Sequence, residues 1–265
     1  MKILCYSSCY GIIFKEMIYS QEQIIFDTIL WYELQSEIDY KTYSDYDIIL
    51  CEYVPSKFEF KSSDNFLNNI RKYNPNAKII IYPLIVMYIF PFHKHNFGFM
   101  PNSAIDMLIE KGKTHDEICE LYEKNEIKFN PKMNYIISLN RLKEVEKQCN
   151  IIISDYIEQN IHKELLFIDT LFPSQQLFNS IITKILEKIN NPILKFRDYD
   201  CNKELHYMRY MGTPPFKAEY IYLFHKMNFY YTQEMINDLE LTYIQTSTPG
   251  FYDYYYYKLK EYFKI

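Results

Sequence analysis

The first candidate for chemistry is a thiol that follows an apolar run near the start of the chain. The run KILCY, residues 2–6, is followed by Ser7, Ser8, Cys9 and Tyr10. Cysteine reacts as its thiolate, and a helix that begins directly after SSC would favour that form. Cys9 is therefore a candidate nucleophile. The alternative is a small, half-buried residue at the end of a strand.

The two serines before Cys9 have two interpretations. Ser7 and Ser8 could offer hydroxyl or backbone donors to an oxyanion or a phosphate at the start of a helix. They could equally cap that helix, because the N-cap position favours the same residue type. The sequence alone leaves both roles open.

Three histidines could supply a base. His93 and His95 lie in the segment PFHKHNFGFMPN, residues 91–102, and His206 lies in ELHYMRYMGTPP. At a spacing of two, His93 and His95 face the same side of an extended chain, but no third and fourth metal ligand is evident. We therefore predict no metal. A role as a base or a ligand contact stays open beside that of ordinary loop histidines.

These residues need elements that bring them together. Apolar runs predict strands at residues 2–6 and 43–54 and in KIIIYP. The segment SSDNFLNNIRKY predicts a helix capped by Ser62, Ser63 or Asp64. Strands that alternate with helices and are apolar throughout indicate a parallel sheet covered on both faces. The segment QIIFDTILWYEL fits either a strand or a helix.

The second half of the chain begins as a helical region. From SAIDMLIEKG to about Gln159 the pattern is mostly helical, and KELLFIDTLFPS predicts a further strand that runs into a turn. SQQLFNSIITKILEKIN predicts an amphipathic helix. Its apolar face consists of Leu177, Ile181, Ile182, Ile185 and Ile189. The whole pattern predicts a sheet of about five strands.

Open parallel sheets bind ligands at the C-terminal ends of their strands. In this sequence those ends are SSCY, EYVPS, the segment YP with the histidine-containing loop after it, and DTLFPS. We expect these four loops to meet at one site.

The ordered set of segments resembles the WcbI-type capsular polysaccharide biosynthesis proteins over residues 2–192. RLKEVEKQCNIIISDYIEQNIHKELLFIDTLFPSQQLFNSIITKILEKINNP is similar to their C-terminal half, and SSCY stands where that family typically has Gly-Asn-Cys-Gln. YDIILCEYV and AKIIIYPLIVMYIFP follow its pattern of strand, polar loop, strand and aromatic loop. The resemblance implies a three-layer α/β/α fold with a mainly parallel sheet, of the flavodoxin and SGNH-hydrolase type.

The resemblance also implies acyl transfer, with coenzyme A or acyl-CoA as the bound cofactor. It maps Cys9 onto the nucleophile and Asp169 onto the Asp of a terminal Asp-x-x-His turn, where this chain has Phe172 instead of His. Without that imidazole, a Cys-His-Asp relay cannot be built from these positions. Either another base substitutes, with His93 a candidate, or the site binds without that chemistry. Asp169 could otherwise cap a turn.

The predicted site residues follow from these considerations. The predicted catalytic residues are Cys9, His93 and Asp169, and the predicted cofactor contacts are Ser7, Ser8, Tyr10, His95 and Arg209. Arg209 belongs to a basic group with Arg197, Lys203 and Lys217 that could hold the phosphates of coenzyme A. Interleaved acidic residues also fit a solvated face.

Three functions remain in view. The first is an acyltransferase, similar to acetyltransferases, that uses acyl-CoA and a sugar or polysaccharide precursor in the biosynthesis of a bacterial capsule or surface polysaccharide. The second is a catalytically degenerate protein that binds a glycan or a nucleotide, and the third is a carbohydrate esterase. The run from Tyr252 to Phe263 could stack on a sugar or an adenine, or pack against the protein.

Charge, hydrophobicity and cysteine content narrow the possible partners and the location of the protein. A formal net charge of −5 argues against a nucleic-acid partner. The longest apolar stretch, residues 79–92, contains two prolines and is too short for a transmembrane segment. Six scattered cysteines without a CxxC pair indicate reduced thiols in a cytoplasmic protein. We predict an SGNH-like domain over 1–195 with a helical insertion at about 103–160 and a tyrosine-rich C-terminal extension over 196–265. A homo-oligomer is left open.

Overall fold

The computed structural model describes residues 1–89, 104–124, 126–128, 130–164, 166–167, 173–197 and 237–242. It divides the chain into two compact units. The first consists of Met1–Val86, Leu139–Gln159 and Phe172–Met211, and the second of Met87–Ser138, Asn160–Leu171 and Gly212–Ile265. The domain, insertion and extension boundaries drawn from the sequence stay predictions.

A parallel sheet forms the centre of the first unit. Its described strands are β1 (Lys2–Ser7), β3 (Ile25–Leu30), β4 (Ile48–Tyr53) and β5 (Lys78–Pro83), in the order β3-β1-β4-β5. All three pairings are parallel. The strands predicted from apolar runs are confirmed, and the ambiguous segment around residue 25 is a strand. A separate antiparallel pair joins β2 (Ile18–Ser20) to β6 (Leu194–Phe196).

Seven helices are described along the chain. They are α1 (Tyr10–Met17), α2 (Ser63–Tyr73), α3 (Ala104–Glu110), α4 (His115–Glu123), α5 (Pro131–Glu146), α6 (Ser154–Asn160) and α7 (Gln175–Ile189). Ser62 caps α2 by accepting a hydrogen bond from the Asn65 N–H at 3.2 Å, as one of the predicted caps. The predicted amphipathic helix is α7, whose five predicted apolar residues are all buried together with Phe178.

Helices cover both faces of the parallel sheet. On one face Phe14 of α1 contacts both Tyr82 of β5 and Phe178 of α7, with ring centroids 5.1 Å and 6.3 Å away. On the other face Phe66 of α2 stacks on Tyr6 of β1, with centroids 4.0 Å apart. The chain is therefore a three-layer α/β/α protein, which confirms the predicted fold class.

One predicted strand lies partly outside the described residues, and one described strand was not predicted. Half of KELLFIDTLFPS, namely residue 165 and residues 168–172, lies outside the described residues, so the predicted strand there stays a prediction. The strand β6 was not predicted, because LKF is only three residues long and its partner β2 lies far away in sequence. The parallel sheet has four strands in the part of the chain that is described.

The close approach of α1 to the sheet depends on Gly11. A Cβ atom at this position would lie 2.7 Å from Thr28 Cγ2, 2.9 Å from Ser7 Cβ and 3.2 Å from Cys5 Sγ. Such separations are much shorter than ordinary van der Waals contacts. Because Gly11 has no side chain, α1 and the residues that precede it can lie close to the strand ends.

We predict that Gly11→Ala destabilises the protein by about 1–3 kcal/mol, because the added methyl overpacks the contact between α1 and β3. Urea unfolding of the two proteins measures the difference. Thr28→Ser removes the methyl that clashes most, so the double variant Gly11→Ala/Thr28→Ser should recover part of the loss. A Gly11→Ala protein as stable as the wild type would contradict this packing argument.

Candidate functional site

Cys9 lies at the C-terminal edge of the parallel sheet. The strand β1 ends at Ser7 and α1 begins at Tyr10, so Ser8 and Cys9 form the whole connection. Cys9 occupies the N-cap position of α1, and its thiol is half-buried. The structure therefore places the predicted nucleophile at a strand end and at the start of a helix, as expected for a ligand site in this type of sheet.

A buried carboxylate joins this connection to two other strand ends. Glu52, near the end of β4, has no exposed surface. Its Oε1 accepts a hydrogen bond from Ser8 Oγ at 2.8 Å, and its Oε2 accepts bonds from the Ser8 N–H at 2.5 Å and from Trp31 Nε1 at 2.7 Å. Trp31 directly follows β3. Three neighbouring strands of the sheet therefore meet at one carboxyl group.

Burial raises the pKa of Glu52 to about 7, from an ordinary value of 4.5. Removal from water disfavours the charged form, whereas the hydrogen bonds from Trp31 and Ser8 favour it and limit the rise. A carboxyl group whose pKa lies near neutral pH can both accept and release a proton under ordinary conditions. Such groups are typical of functional sites.

Five of the described titratable side chains around Glu52 stay neutral near pH 7. Burial, followed by other causes that include the charge of Glu52, raises the pKa of each of these side chains above its ordinary value. They are Cys5, Tyr6, Tyr32, Cys51 and Tyr82. Tyr32 is also sensitive to the charge of Cys9, so its hydroxyl lies in the same electrostatic environment as the thiol.

Ser7 and Tyr10 have packing roles in the structure. Ser7 is fully buried, and its Oγ accepts a hydrogen bond from the Tyr82 hydroxyl at 2.6 Å. The Tyr10 hydroxyl donates to the Ile85 carbonyl at 3.3 Å, and its ring meets Phe178 edge-on. Ser8 is 7% exposed and lies beside Cys9. A contact of Ser7, Ser8 or Tyr10 with a cofactor stays a prediction.

Several predicted site residues lie outside the described residues. They are His93, His95, Asp169 and Arg209, together with Phe172, His206, Lys203, Lys217 and the run from Tyr252 to Phe263. Their assigned roles stay predictions. Arg197 is described, and its Nη2 forms an ion pair with Glu16 Oε2 at 3.0 Å. The structure thus brings together Ser7, Ser8, Cys9 and Tyr10 from the predicted set.

The sequence interpretation missed Glu52 and Trp31. Glu52 is the first residue of EYVPS, a predicted strand-end loop, and interrupts an apolar strand with a carboxylate. Trp31 is the one tryptophan of the chain and follows the segment whose structure was ambiguous. A carboxylate inside a predicted buried strand was the signal that could have identified the centre of the site.

No group of three or more His, Cys, Asp or Glu side chains in the described part is arranged to hold a metal ion. No described helix is both long enough and apolar enough to cross a membrane.

The fold is similar to one solved structure. No protein-family model and no curated protein matches the chain. The solved structure of WcbI, described as a polysaccharide biosynthesis enzyme, matches with a TM-score of 0.56 and 12% sequence identity. The match covers 74% of this chain and 72% of WcbI, which is described in a native form without a disulfide bond between coenzyme A and one of its cysteines. The two chains share a distantly related fold.

We predict that the protein becomes less stable as Glu52 ionises. A carboxyl group with a higher pKa in the folded than in the unfolded state binds its proton more tightly when folded. The free energy of unfolding should therefore fall by about 3 kcal/mol as the pH rises from about 4.5 through about 7.

The matched variant is Glu52→Gln, which stays neutral at every pH. Urea unfolding of both proteins across this pH range gives the difference in free energy of unfolding, in which the other titrating groups largely cancel. We expect the wild type to lose stability relative to the variant with rising pH. A difference that does not change with pH would show that the carboxyl group is not shifted by burial.

Proposed function

We propose that this chain binds coenzyme A or acyl-CoA at the C-terminal edge of its sheet and transfers an acyl group to a sugar in polysaccharide biosynthesis. One observation carries the proposal: Cys9 is a half-buried thiol in the connection between the first strand and the first helix of a fold similar to WcbI. WcbI is described as a polysaccharide biosynthesis enzyme, in a native form without a disulfide bond between coenzyme A and one of its cysteines.

The described residues at this edge suit a thioester of coenzyme A. Cys9 lies at the start of α1, where the helix dipole favours an anion such as a thiolate or an oxyanion. An acyl thioester supplies an activated carbonyl carbon, and a cysteine thiolate can receive the acyl group. The predicted partners are therefore a small acyl-CoA and a sugar or polysaccharide precursor.

The proposal assigns the phosphates to two lysines on the segment that follows β4. Ser56–Lys61 forms a short 3-10 turn, and Lys61 Nζ donates to the Tyr32 carbonyl at 3.4 Å. Phe58 of the same turn packs on Trp31, with ring centroids 5.7 Å apart. Lys57 and Lys61 therefore belong to the same strand-end region as Glu52. Lysine serves well as a point charge for phosphate, and Arg209 remains a further predicted contact.

A second candidate is a protein that binds a glycan or a nucleotide without turnover. It is favoured by Phe172, which stands where the resemblance expects the histidine of the relay. A carbohydrate esterase would use the same site with water as the acceptor. Release of free coenzyme A from acetyl-CoA distinguishes an acyltransferase from both, since neither alternative consumes the thioester.

We predict that Cys9 forms a mixed disulfide with coenzyme A when the protein is treated with coenzyme A disulfide. The Cys9 thiolate would attack one sulfur of the reagent, form the new disulfide and release one coenzyme A thiolate. Mass spectrometry of the intact protein and of its peptides measures the adduct and its position. Binding of the nucleotide should make the reaction at least about 10-fold faster than with glutathione disulfide.

The chain offers a matched control for this reaction. Cys149 is also a half-buried thiol of the first unit, but burial, followed by the charge of Glu146, raises its pKa to about 12. Cys149→Ser should therefore react like the wild type, and Cys9→Ser should not form the adduct. Equal rates with the two disulfides, or an adduct on Cys149, would contradict a coenzyme A site at Cys9.

We predict that Lys57→Gln/Lys61→Gln weakens coenzyme A binding about 10-fold, because two phosphate-binding charges are lost. Isothermal titration calorimetry with coenzyme A measures the affinity. Lys147→Gln removes one exposed charge that pairs with Glu144 and serves as the control for general electrostatics. Equal affinities of the double variant and the wild type would place the phosphates elsewhere.

A further inference from the structure

The structure contains a serine and a carboxylate that the Cys-His-Asp arrangement does not use. Ser8 donates its hydroxyl to Glu52 Oε1 at 2.8 Å, and its backbone N–H donates to the other carboxylate oxygen. Ser8 directly precedes Cys9. A side-chain hydroxyl hydrogen-bonded to a buried carboxylate is a route along which a proton can move.

We propose that Ser8 and Glu52 form the proton-accepting pair of this site, with Ser8 as the residue that contacts the acyl acceptor and Glu52 as the residue that positions Ser8 and receives its proton. The inference rests on the proposed acyl transfer and deepens it. It assigns the role of the base, which the sequence comparison leaves open because Phe172 stands in place of the expected histidine.

In the proposed step, one proton passes in net from the acceptor to Glu52 by way of Ser8. The acyl carbon exchanges its bond to sulfur for a bond to oxygen. The hydroxyl of the acceptor gives its proton to Ser8 Oγ while the Ser8 proton passes to Glu52 Oε1. The acceptor oxygen forms a bond to the acyl carbon, and the bond from that carbon to the leaving sulfur breaks. The leaving thiolate then recovers the proton from Glu52 through Ser8. The step needs no oxidant, reductant or further reactant.

The hydrogen bonds hold the pair in the geometry that this route needs. Oε2 accepts the two N–H groups of Ser8 and Trp31, whereas Oε1 accepts the Ser8 hydroxyl. The carboxylate is therefore fixed in orientation, with one oxygen aimed at the serine. Ser8 retains a small exposed fraction of 7%, whereas Glu52 has none. A ligand at the strand ends would thus meet the serine first.

The electrostatic surroundings allow Glu52 to change its charge near neutral pH. Burial brings its pKa to about 7, and five described titratable groups on β1, β4, β5 and the turn that follows β3 have raised pKa values. These groups are Cys5, Tyr6, Tyr32, Cys51 and Tyr82. They stay neutral while Glu52 titrates. A rise in rate with pH that is centred near 7 is therefore specific to Glu52 among these groups.

The test uses hydrolysis of p-nitrophenyl acetate, in which water replaces the sugar as the acceptor and coenzyme A is not needed. We expect the wild-type rate to rise with pH and to level off above the pKa of Glu52, because the ionised carboxylate is the active form. Glu52→Gln and Ser8→Ala should each lose this rise and reduce the plateau rate by about 100-fold. The double variant should be no slower than either single variant, since both act in one route.

Two further variants separate proton transfer from a merely structural role. Trp31→Phe removes a hydrogen bond that lowers the pKa of Glu52, so the midpoint of the rise should move to higher pH. Glu146→Gln is the matched control. Glu146 is also buried and accepts bonds from the Ser154 N–H and Oγ–H, but it lies at the end of α5. It should keep the wild-type pH profile.

The Cys9→Ser variant shows whether ionisation of the Cys9 thiol itself causes the rise in rate with pH. The proposal expects Cys9→Ser to keep a rise centred near 7, whatever its absolute rate. A wild-type profile without this rise, or a rise that survives in Glu52→Gln, would overturn the proton-accepting role. Failure of the coenzyme A disulfide reaction together with an intact Glu52-dependent rise would overturn the coenzyme A site and leave the Ser8–Glu52 pair standing.

Discussion

The first unit depends on one buried carboxylate at the C-terminal edge of its sheet. Glu52 has no exposed surface and accepts three hydrogen bonds, two from Ser8 and one from Trp31. An unpaired buried carboxyl group would cost several kcal/mol, so the donors are needed to keep it in the core. In return they hold the ends of β1, β3 and β4 in a fixed relation, and Cys9 directly follows one of the donors.

A second buried carboxylate in the first unit, that of Glu146, accepts a similar set of hydrogen bonds but lies in a different place. Glu146 accepts bonds from the Ile153 and Ser154 N–H groups and from the Ser154 hydroxyl, which satisfies the first turn of α6. That carboxylate closes a connection between two helices. Glu52 instead lies where strand ends meet, beside a half-buried thiol. Position at the edge of the sheet, and not the hydrogen-bond pattern, separates the candidate functional carboxylate from the structural one.

Local patterns in the sequence were sufficient for most of the fold. The parallel strands of the sheet are short apolar runs, and α7 shows a helical spacing of apolar residues that matches its buried face. The segment of β3 was ambiguous because a short apolar run fits a strand and a buried helix alike. Its pairing with β1, which no local pattern encodes, decides the outcome.

The candidate site was predictable only in part, for the same reason. The placement of Cys9 follows from local order, since a strand, a short connection and a helix succeed one another. The contact of Ser8 with Glu52 joins residues 44 positions apart, and the bond from Trp31 to Glu52 spans 21. Such pairings arise from the register of the sheet. In the sequence Glu52 is a single carboxylate within an apolar strand, and only the three-dimensional structure shows its hydrogen-bond partners.

Ser7 and Tyr10, which stand where the resemblance expects Gly and Gln, are both buried in the first unit. Tyr10 places its ring against Phe178 and its hydroxyl on the Ile85 carbonyl, so this position stabilises the packing of α1 and α7. Ser7 similarly has its hydroxyl bonded to Tyr82 inside the core. Among the described residues, Ser8, Cys9 and Glu52 place polar groups at the neighbouring ends of β1 and β4. The described residues at this edge therefore offer a hydroxyl hydrogen-bonded to a buried carboxylate beside a half-buried thiol, in a chain that has Phe172 where the resemblance expects a histidine.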